Sequence, residues 1–288
     1  MNSPAVSVTK SPASEAGHRA TSVRRTRWTN VTAAAITGIA AAVLVAFIGL
    51  PLVAIFLRVP IGTLLAQLRS SVALDALRIS MKTSLVALAF IVIAGTPVAY
   101  VLGTKRFRGR MLLTTLLELP LVRPPAGAGI GLFAAFGRFG LLGSSLRALG
   151  IELPFTWVAV VMAQAFVAMP FYVRQAIAGF ASVDSQLLGA SRTLGASSTR
   201  TFFRVAAPLA GQSLSAGAAL AWARALGEFG ATTMFAGSLE GTTQTLPLAI
   251  YAQFSSANLD VALAMSALLV AVSAGILVTT KLLLRSRA

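Results

Sequence analysis

The sequence predicts an all-α, polytopic membrane protein with about six transmembrane helices. Hydrophobic residues make up 56% of its 288 positions and charged residues only 11%, whereas soluble domains contain about 25% charged residues. A soluble fold of this length could not cover so much apolar surface with so few charges. Two further observations agree, because the apolar residues form long runs and the basic residues cluster between those runs.

Six of the apolar runs are long enough to cross a bilayer, since one crossing takes about 20 mostly apolar residues. Residues 1–30 are rich in Ser, Thr, Ala and Arg and have few large apolar side chains, so we expect a disordered, basic tail there. We expect a transmembrane domain over residues 31–284 and a short C-terminus over residues 285–288. The six predicted spans lie near residues 31–57, 83–102, 111–136, 155–177, 208–235 and 261–284.

The distribution of basic residues predicts the orientation in the membrane. With six spans, the N-terminal tail, the second and fourth connections and the C-terminus share one side, and they hold 16 of the 24 Lys and Arg residues. The positive-inside rule makes this side, and therefore both termini, cytoplasmic. The net charge of +16 would indicate nucleic acid in a soluble protein, but here the expected partner is the lipid bilayer and no nucleic acid. The fourth connection contributes Arg174, Arg192, Arg200 and Arg204.

The third predicted span contains residues that distort a helix. Pro120, Pro124 and Pro125 remove backbone donors and free carbonyl groups, and such a broken span often lines a cavity. The glycines that follow, at positions 127, 129 and 131, leave little side chain, so we expect them to allow close helix packing rather than to bind a ligand.

The connection over residues 178–207 has helical character instead of a loop pattern. Ser182 or Asp184 can cap a helix, and Gly195 ends it before a second amphipathic stretch. The pattern predicts a helix, a glycine turn and a helix. Two interpretations remain open from these residues: an amphipathic hairpin that rests on the membrane, and an element that docks into a groove of a soluble partner.

Several chemistries are excluded by composition. The chain has no Cys, and its one histidine is His18 in the tail, so we expect no catalytic, cofactor or metal site. A phosphate-binding loop needs Gly-Lys-Ser or Gly-Lys-Thr, and none of the four lysines follows a glycine. We therefore do not expect this chain to be an enzyme or to hydrolyse ATP by that route.

The connection resembles the Glu-Ala-Ala loop of permeases of ATP-binding-cassette importers. Ala190, Gly195 and Pro208 stand at the spacing of that family, whereas Gly189 occupies the position of its glutamate and Ala207 that of a leucine. The resemblance implies that a coupling helix within residues 178–207 fits a cleft of a separate ATPase subunit. The residues implied for this coupling loop are Asp184, Gly189, Ala190, Ser191, Arg192, Thr193, Leu194, Gly195 and Pro208.

A second stretch, Leu226-Gly227-Glu228-Phe229-Gly230, is similar to the fifth span of permeases for molybdate, tungstate and sulfate. The resemblance implies the permease subunit of a type I importer in the bacterial inner membrane. It implies a homodimer, two cytoplasmic ATPase subunits and an extracytoplasmic oxyanion-binding protein. Molybdate is the expected substrate, with tungstate and sulfate or thiosulfate as alternatives. A secondary transporter that works without ATP, and a membrane anchor that only assembles partners, are the alternatives from other classes.

Ionisable residues inside spans are costly and need a partner or an aqueous cavity. Arg224 and Glu228 are four residues apart, so they lie on one helical face and could neutralise each other. They could also line or gate the path of an anion, and both interpretations stay open. Glu118 and Arg123 in the third span are further candidates for the path, although their spacing does not require them to face each other.

Overall fold

The computed structural model describes residues 12–285, which form fourteen α-helices and one π-helical turn and contain no β-strand. The first half comprises α1 (Pro12–Arg58), α2 (Ile61–Gln67), α3 (Ser71–Thr104), α4 (Arg110–Val122), α5 (Pro125–Phe136), α6 (Gly143–Ala148) and α7 (Trp157–Ala181). The second half comprises α8 (Ser185–Thr193), α9 (Ser198–Thr201), the π turn (Phe202–Ala206), α10 (Ala207–Leu209), α11 (Gly211–Leu226), α12 (Gly230–Ala236), α13 (Leu246–Ser255) and α14 (Leu259–Arg285).

Helix α1 is longer than the first predicted span. Residues 12–30, where the sequence predicts a disordered tail, belong to this helix. Residues 1–11 of the predicted tail lie outside the described residues. Ala and Arg recur in this stretch and favour helix, and a helix nucleated in the adjoining apolar run extends at low cost. Residues up to Ala54 form one compact unit, and the residues from Ile55 onward form a second.

The described residues contain four helical stretches long and apolar enough to cross a membrane: Ala34–Arg58 within α1, Ser71–Thr104, Trp157–Ala181 and Leu259–Thr280. A fifth crossing is possible if α4 and α5 count as one broken span, and these two helices meet at an angle of 115°. Pro125 begins α5, so the proline pair ends one helix and starts the next. The predicted third span is thus sharply bent rather than merely distorted.

The fifth predicted span, residues 208–235, is interrupted as well. Helix α11 has 16 residues, fewer than a full crossing needs. It ends at a C-cap glycine, Gly227, and α12 begins at Gly230. The apolar pattern continues across this break, which is why the composition of the sequence predicts one uninterrupted span.

The core of the second unit is built from small side chains on α3, α7 and α11. Ala99, Ala176 and Ala221 are fully buried in it, and small residues let helix backbones approach closely. A Cβ atom built on Gly129 of α5 would lie 2.6 Å from the carbonyl oxygen of Ala231 in α12. The expected packing role therefore holds for Gly129, whereas the positions next to Gly127 and Gly131 are open.

Candidate functional site

The segment between α7 and α10, residues 182–206, has the helix, glycine turn and helix that the sequence predicts. We call it the interhelical segment. Helix α8 begins after Asp184, whose carboxylate accepts a hydrogen bond from the Gln186 N–H at 2.8 Å. It ends at Thr193 with Leu194 as its C-cap, and the chain turns at Gly195, which has φ +79°. The Gly195 N–H donates to Arg192 O and the Ala196 N–H to Ser191 O, which is the Schellman arrangement that favours glycine at this position.

The two sides of α8 differ in their surroundings. Leu188 packs against the main core cluster. Leu187 and Leu194 are 49% and 88% exposed, so they leave large apolar side chains uncovered. They line an open groove of about 370 Å³ together with Arg200 and Arg204. The groove thus combines apolar contact area with two basic side chains.

Of the remaining residues predicted for the coupling loop, Ala190 and Ser191 also line this groove. Ser191 is half-buried, and its hydroxyl lies 2.9 Å from that of Thr201 in α9, which holds the two short helices together. No other atom comes within 4 Å of a Cβ built on Gly189, so a larger side chain would fit there. Exposed positions are Asp184, Gly189, Ala190, Arg192, Thr193, Leu194, Gly195 and Pro208.

The second group of predicted site residues contains one buried ion pair. Arg224 Nη2 and Glu228 Oε2 are 2.7 Å apart, and the side chains are 26% and 1% exposed. Glu228 Oε1 accepts a hydrogen bond from the Ala231 N–H at 2.7 Å, in the first turn of α12. Glu228 Oε2 accepts no well-aligned hydrogen bond from the described residues, so the charge of Arg224 is what balances it.

Glu118 and Arg123, the other two candidates, do not meet each other. Glu118 Oε1 lies 3.2 Å from Arg174 Nε. Arg174 belongs to α7, so counting it with the fourth connection was wrong. Arg123 is exposed at the end of α4 and lines a cavity of about 510 Å³ between α4, α5 and α7. The bend between α4 and α5 directs these two charges to different surroundings.

Two polar features escaped the sequence analysis. Gln164 of α7 is fully buried, and neither its amide nitrogen nor its amide oxygen has a hydrogen-bond partner among the described residues. Lys82 Nζ lies 4.9 Å from the centre of the Trp157 ring, a cation–π contact. In the sequence, each of these features could have been found as a single glutamine or lysine inside an apolar run, because such residues need a partner there. The described residues hold no cluster of three or more His, Cys, Asp or Glu suited to a metal ion.

Comparison with known proteins decides the family. The model of the family described as "binding-protein-dependent transport system inner membrane component" matches residues 95–285. The chain belongs to this family of transport-system membrane components. The "Molybdenum transport system permease protein ModB" of Mycobacterium tuberculosis is 44% identical over 234 residues, which are 80% of this chain and 87% of that protein.

Other relatives in this transport family carry different names. The "Sulfate transport system permease protein CysW" of Synechococcus elongatus is 36% identical over 174 residues, covering 60% of this chain and 61% of that protein. Among solved structures, a chain of a bacterial ABC transporter involved in the import of alginate matches with a TM-score of 0.72. The match covers 93% of this chain and 99% of that chain at 13% identity. At that identity the likeness shows a shared fold alone.

Proposed function

We propose that this chain is the permease subunit of an ATP-driven importer of molybdate in the bacterial inner membrane. The observation that carries the proposal is the 44% identity to a molybdenum permease over 80% of the chain. Membership of the transport-system family and the multi-pass helical fold agree with it.

The ATP would be hydrolysed by a separate subunit that docks on the interhelical segment. The exposed Leu187 and Leu194 supply apolar area for a cleft in that subunit, and Arg200 and Arg204 supply positive charge at the rim. Docking between an apolar helical face and a groove is a common mode of recognition. This arrangement makes the interhelical segment, and both chain termini, cytoplasmic.

The anion path would lie at the two-fold interface of a homodimer, with an extracytoplasmic oxyanion-binding protein as donor. Arg224 is the candidate for contact with the anion, because about a quarter of its side chain is exposed while Glu228 is enclosed. Glu228 would hold Arg224 in place and keep the anion from binding too tightly. Arg123, at the rim of its cavity, is a second candidate, whereas Glu118 already has Arg174 as a partner.

Transport would proceed by alternating access. ATP binding draws the two ATPase subunits and the docked interhelical segments together and opens the path outward, and hydrolysis returns it inward. The permease contributes two helix packings of different stability, and the nucleotide bound to its partner shifts the population between them.

Uptake of labelled molybdate into proteoliposomes tests this function. The vesicles contain this chain, its ATPase and its binding protein, with tungstate or sulfate as competitors. We expect uptake that needs enclosed ATP and resists excess sulfate. Inhibition mainly by sulfate would indicate that sulfate is the substrate, as in the name of the Synechococcus elongatus relative. Uptake without the ATPase would indicate a secondary transporter instead of an ATP-driven importer.

A further inference from the structure

Three aromatic rings meet where the interhelical segment returns to the helix bundle. Tyr100 lies near the end of α3, Phe180 near the end of α7, and Phe202 opens the π turn. The ring centres are 5.3 Å apart for Tyr100 and Phe180, 5.0 Å for Tyr100 and Phe202, and 6.0 Å for Phe180 and Phe202. We call these three residues the aromatic cluster. Such contacts stabilise beyond their buried area and have preferred geometries.

The ends of α3 and α7, which carry Tyr100 and Phe180, are packed too closely for one helix to slide past the other. A Cβ built on Gly103 of α3 would lie 2.7 Å from the Cβ of Phe180 and 3.0 Å from a backbone oxygen of α7. A Cβ built on Gly179 would lie 2.5 Å from the Cβ of Ser213 in α11. Since packed interfaces shift between discrete arrangements rather than deform gradually, α3, α7 and α11 should move together at this end.

A short chain of contacts joins α8 to the same cluster. The hydroxyl groups of Ser191 and Thr201 are 2.9 Å apart, and Phe202 follows Thr201 directly in the sequence. Phe202 also begins the π turn, and π turns are frequent at functional positions in helices. A displacement of α8 therefore reaches Phe202 through one hydrogen bond and one peptide unit.

We propose that Phe202 is a positioning residue that passes the displacement of α8 to α3 and α7 through the aromatic cluster. The inference rests on the proposed function, since it assumes that the ATPase moves α8. A phenyl ring suits this role because it is rigid and meets both neighbouring rings at once. A smaller aliphatic side chain would leave space into which the interhelical segment can shift without moving the bundle.

Phe202→Leu in the reconstituted complex tests the inference, with Phe203→Leu as the matched control. Phe203 is the next residue of the same π turn, is 67% exposed, and its ring contacts Phe202 at 4.9 Å between centres. We expect Phe202→Leu to bind the ATPase normally and to hydrolyse ATP, but to import roughly fivefold less molybdate per ATP. Phe203→Leu should stay near the wild-type ratio. A wild-type ratio in Phe202→Leu would overturn the inference, and so would loss of ATPase binding.

Spin labels separate this inference from the proposed function. The chain has no native cysteine, so Gln186→Cys on α8 and Lys105→Cys at the end of α3 each give one distance between the two copies in a homodimer. In the wild-type background we expect ATP to change both distances, and in Phe202→Leu only the one at position 186. If neither wild-type distance responds to ATP, the proposed coupling fails. If both respond equally in Phe202→Leu, only the aromatic transmission fails.

A second pair of variants keeps the test decisive if the Phe202→Leu permease does not fold. Tyr100→Phe keeps the ring and removes the hydroxyl, whereas Tyr100→Leu removes the ring. Transmission through ring contacts predicts normal import per ATP for Tyr100→Phe and a reduction of several-fold for Tyr100→Leu. Equal ratios in these two variants would contradict it.

Discussion

Replacing Glu228 with Gln tests the ion pair that lies between α11 and α12. The Glu228 carboxylate is 1% exposed and lies 2.7 Å from the Arg224 guanidinium. It also accepts the Ala231 N–H at 2.7 Å. Glutamine has the same shape and keeps an oxygen that can accept the bond from Ala231. The substitution therefore removes the negative charge and also turns the amide nitrogen, a hydrogen-bond donor, toward the donor groups of Arg224.

The expected loss follows from the burial of the two partners. Breaking a fully buried ion pair by removing one charge destabilises a protein by about 3–5 kcal/mol, since the other charge is left uncompensated. Arg224 keeps 26% of its side chain exposed, so solvent offsets part of that loss. We expect about 2 kcal/mol, which corresponds to a fall of several degrees in the unfolding temperature of the detergent-purified complex.

The double variant Arg224→Gln/Glu228→Gln separates the structural role of the ion pair from a role of Arg224 in transport. It leaves no uncompensated charge, so we expect it to regain most of the stability lost in Glu228→Gln. If Arg224 also contacts the anion, molybdate uptake per assembled complex should stay low in the double variant. Wild-type stability of Glu228→Gln would refute the electrostatic reasoning, and restored uptake in the double variant would refute the role in the path.

Four further substitutions, one of them a control, have defined outcomes. Gly129→Ala forces a methyl group against the backbone of α12 and should destabilise the purified protein by about 1–3 kcal/mol. Gly131→Ala places its methyl group in open space within α5, so it should melt at or slightly above the wild-type temperature. Gly195→Ala places a side chain at φ +79° and should cost about 1–2 kcal/mol, seen as faster amide hydrogen exchange in α8; unchanged exchange would contradict the turn geometry. Glu118→Gln breaks only a largely exposed pair with Arg174, so thermal unfolding should change by less than about 1 kcal/mol, and a larger drop would mean that the pair is buried in the assembled complex.

The features predicted correctly depend on local chemistry. Asp184 and Gly195 fix the ends of α8 through bonds to residues within a few positions, so cap and turn rules suffice. The contact between Arg224 and Glu228 is also local in sequence, although Glu228 lies just beyond the end of α11 and not on its helical face. These interactions need no knowledge of how distant helices pack.

The features missed depend on contacts between distant parts of the chain. Arg174 meets Glu118 across two helices, and no spacing rule links positions so far apart. The aromatic cluster joins three separate elements in the same way. The break after α11 is hidden because most residues on both sides of Gly227 are apolar. Glu228 is an exception, and its bond to the first turn of α12 marks a new helix start.

The most direct test of docking between the ATPase subunit and the interhelical segment is to measure the affinity of the ATPase for the Leu194→Asp variant. Leu194 is 88% exposed on the interhelical segment, and Leu141, between α5 and α6, is exposed to the same 88%, so Leu141→Asp is a matched control. Since a buried apolar anchor commonly dominates an interface, docking through the interhelical segment predicts at least about tenfold weaker ATPase binding, with loss of ATP-driven uptake, for Leu194→Asp alone. Equal ATPase affinity in wild type, Leu194→Asp and Leu141→Asp would contradict the account.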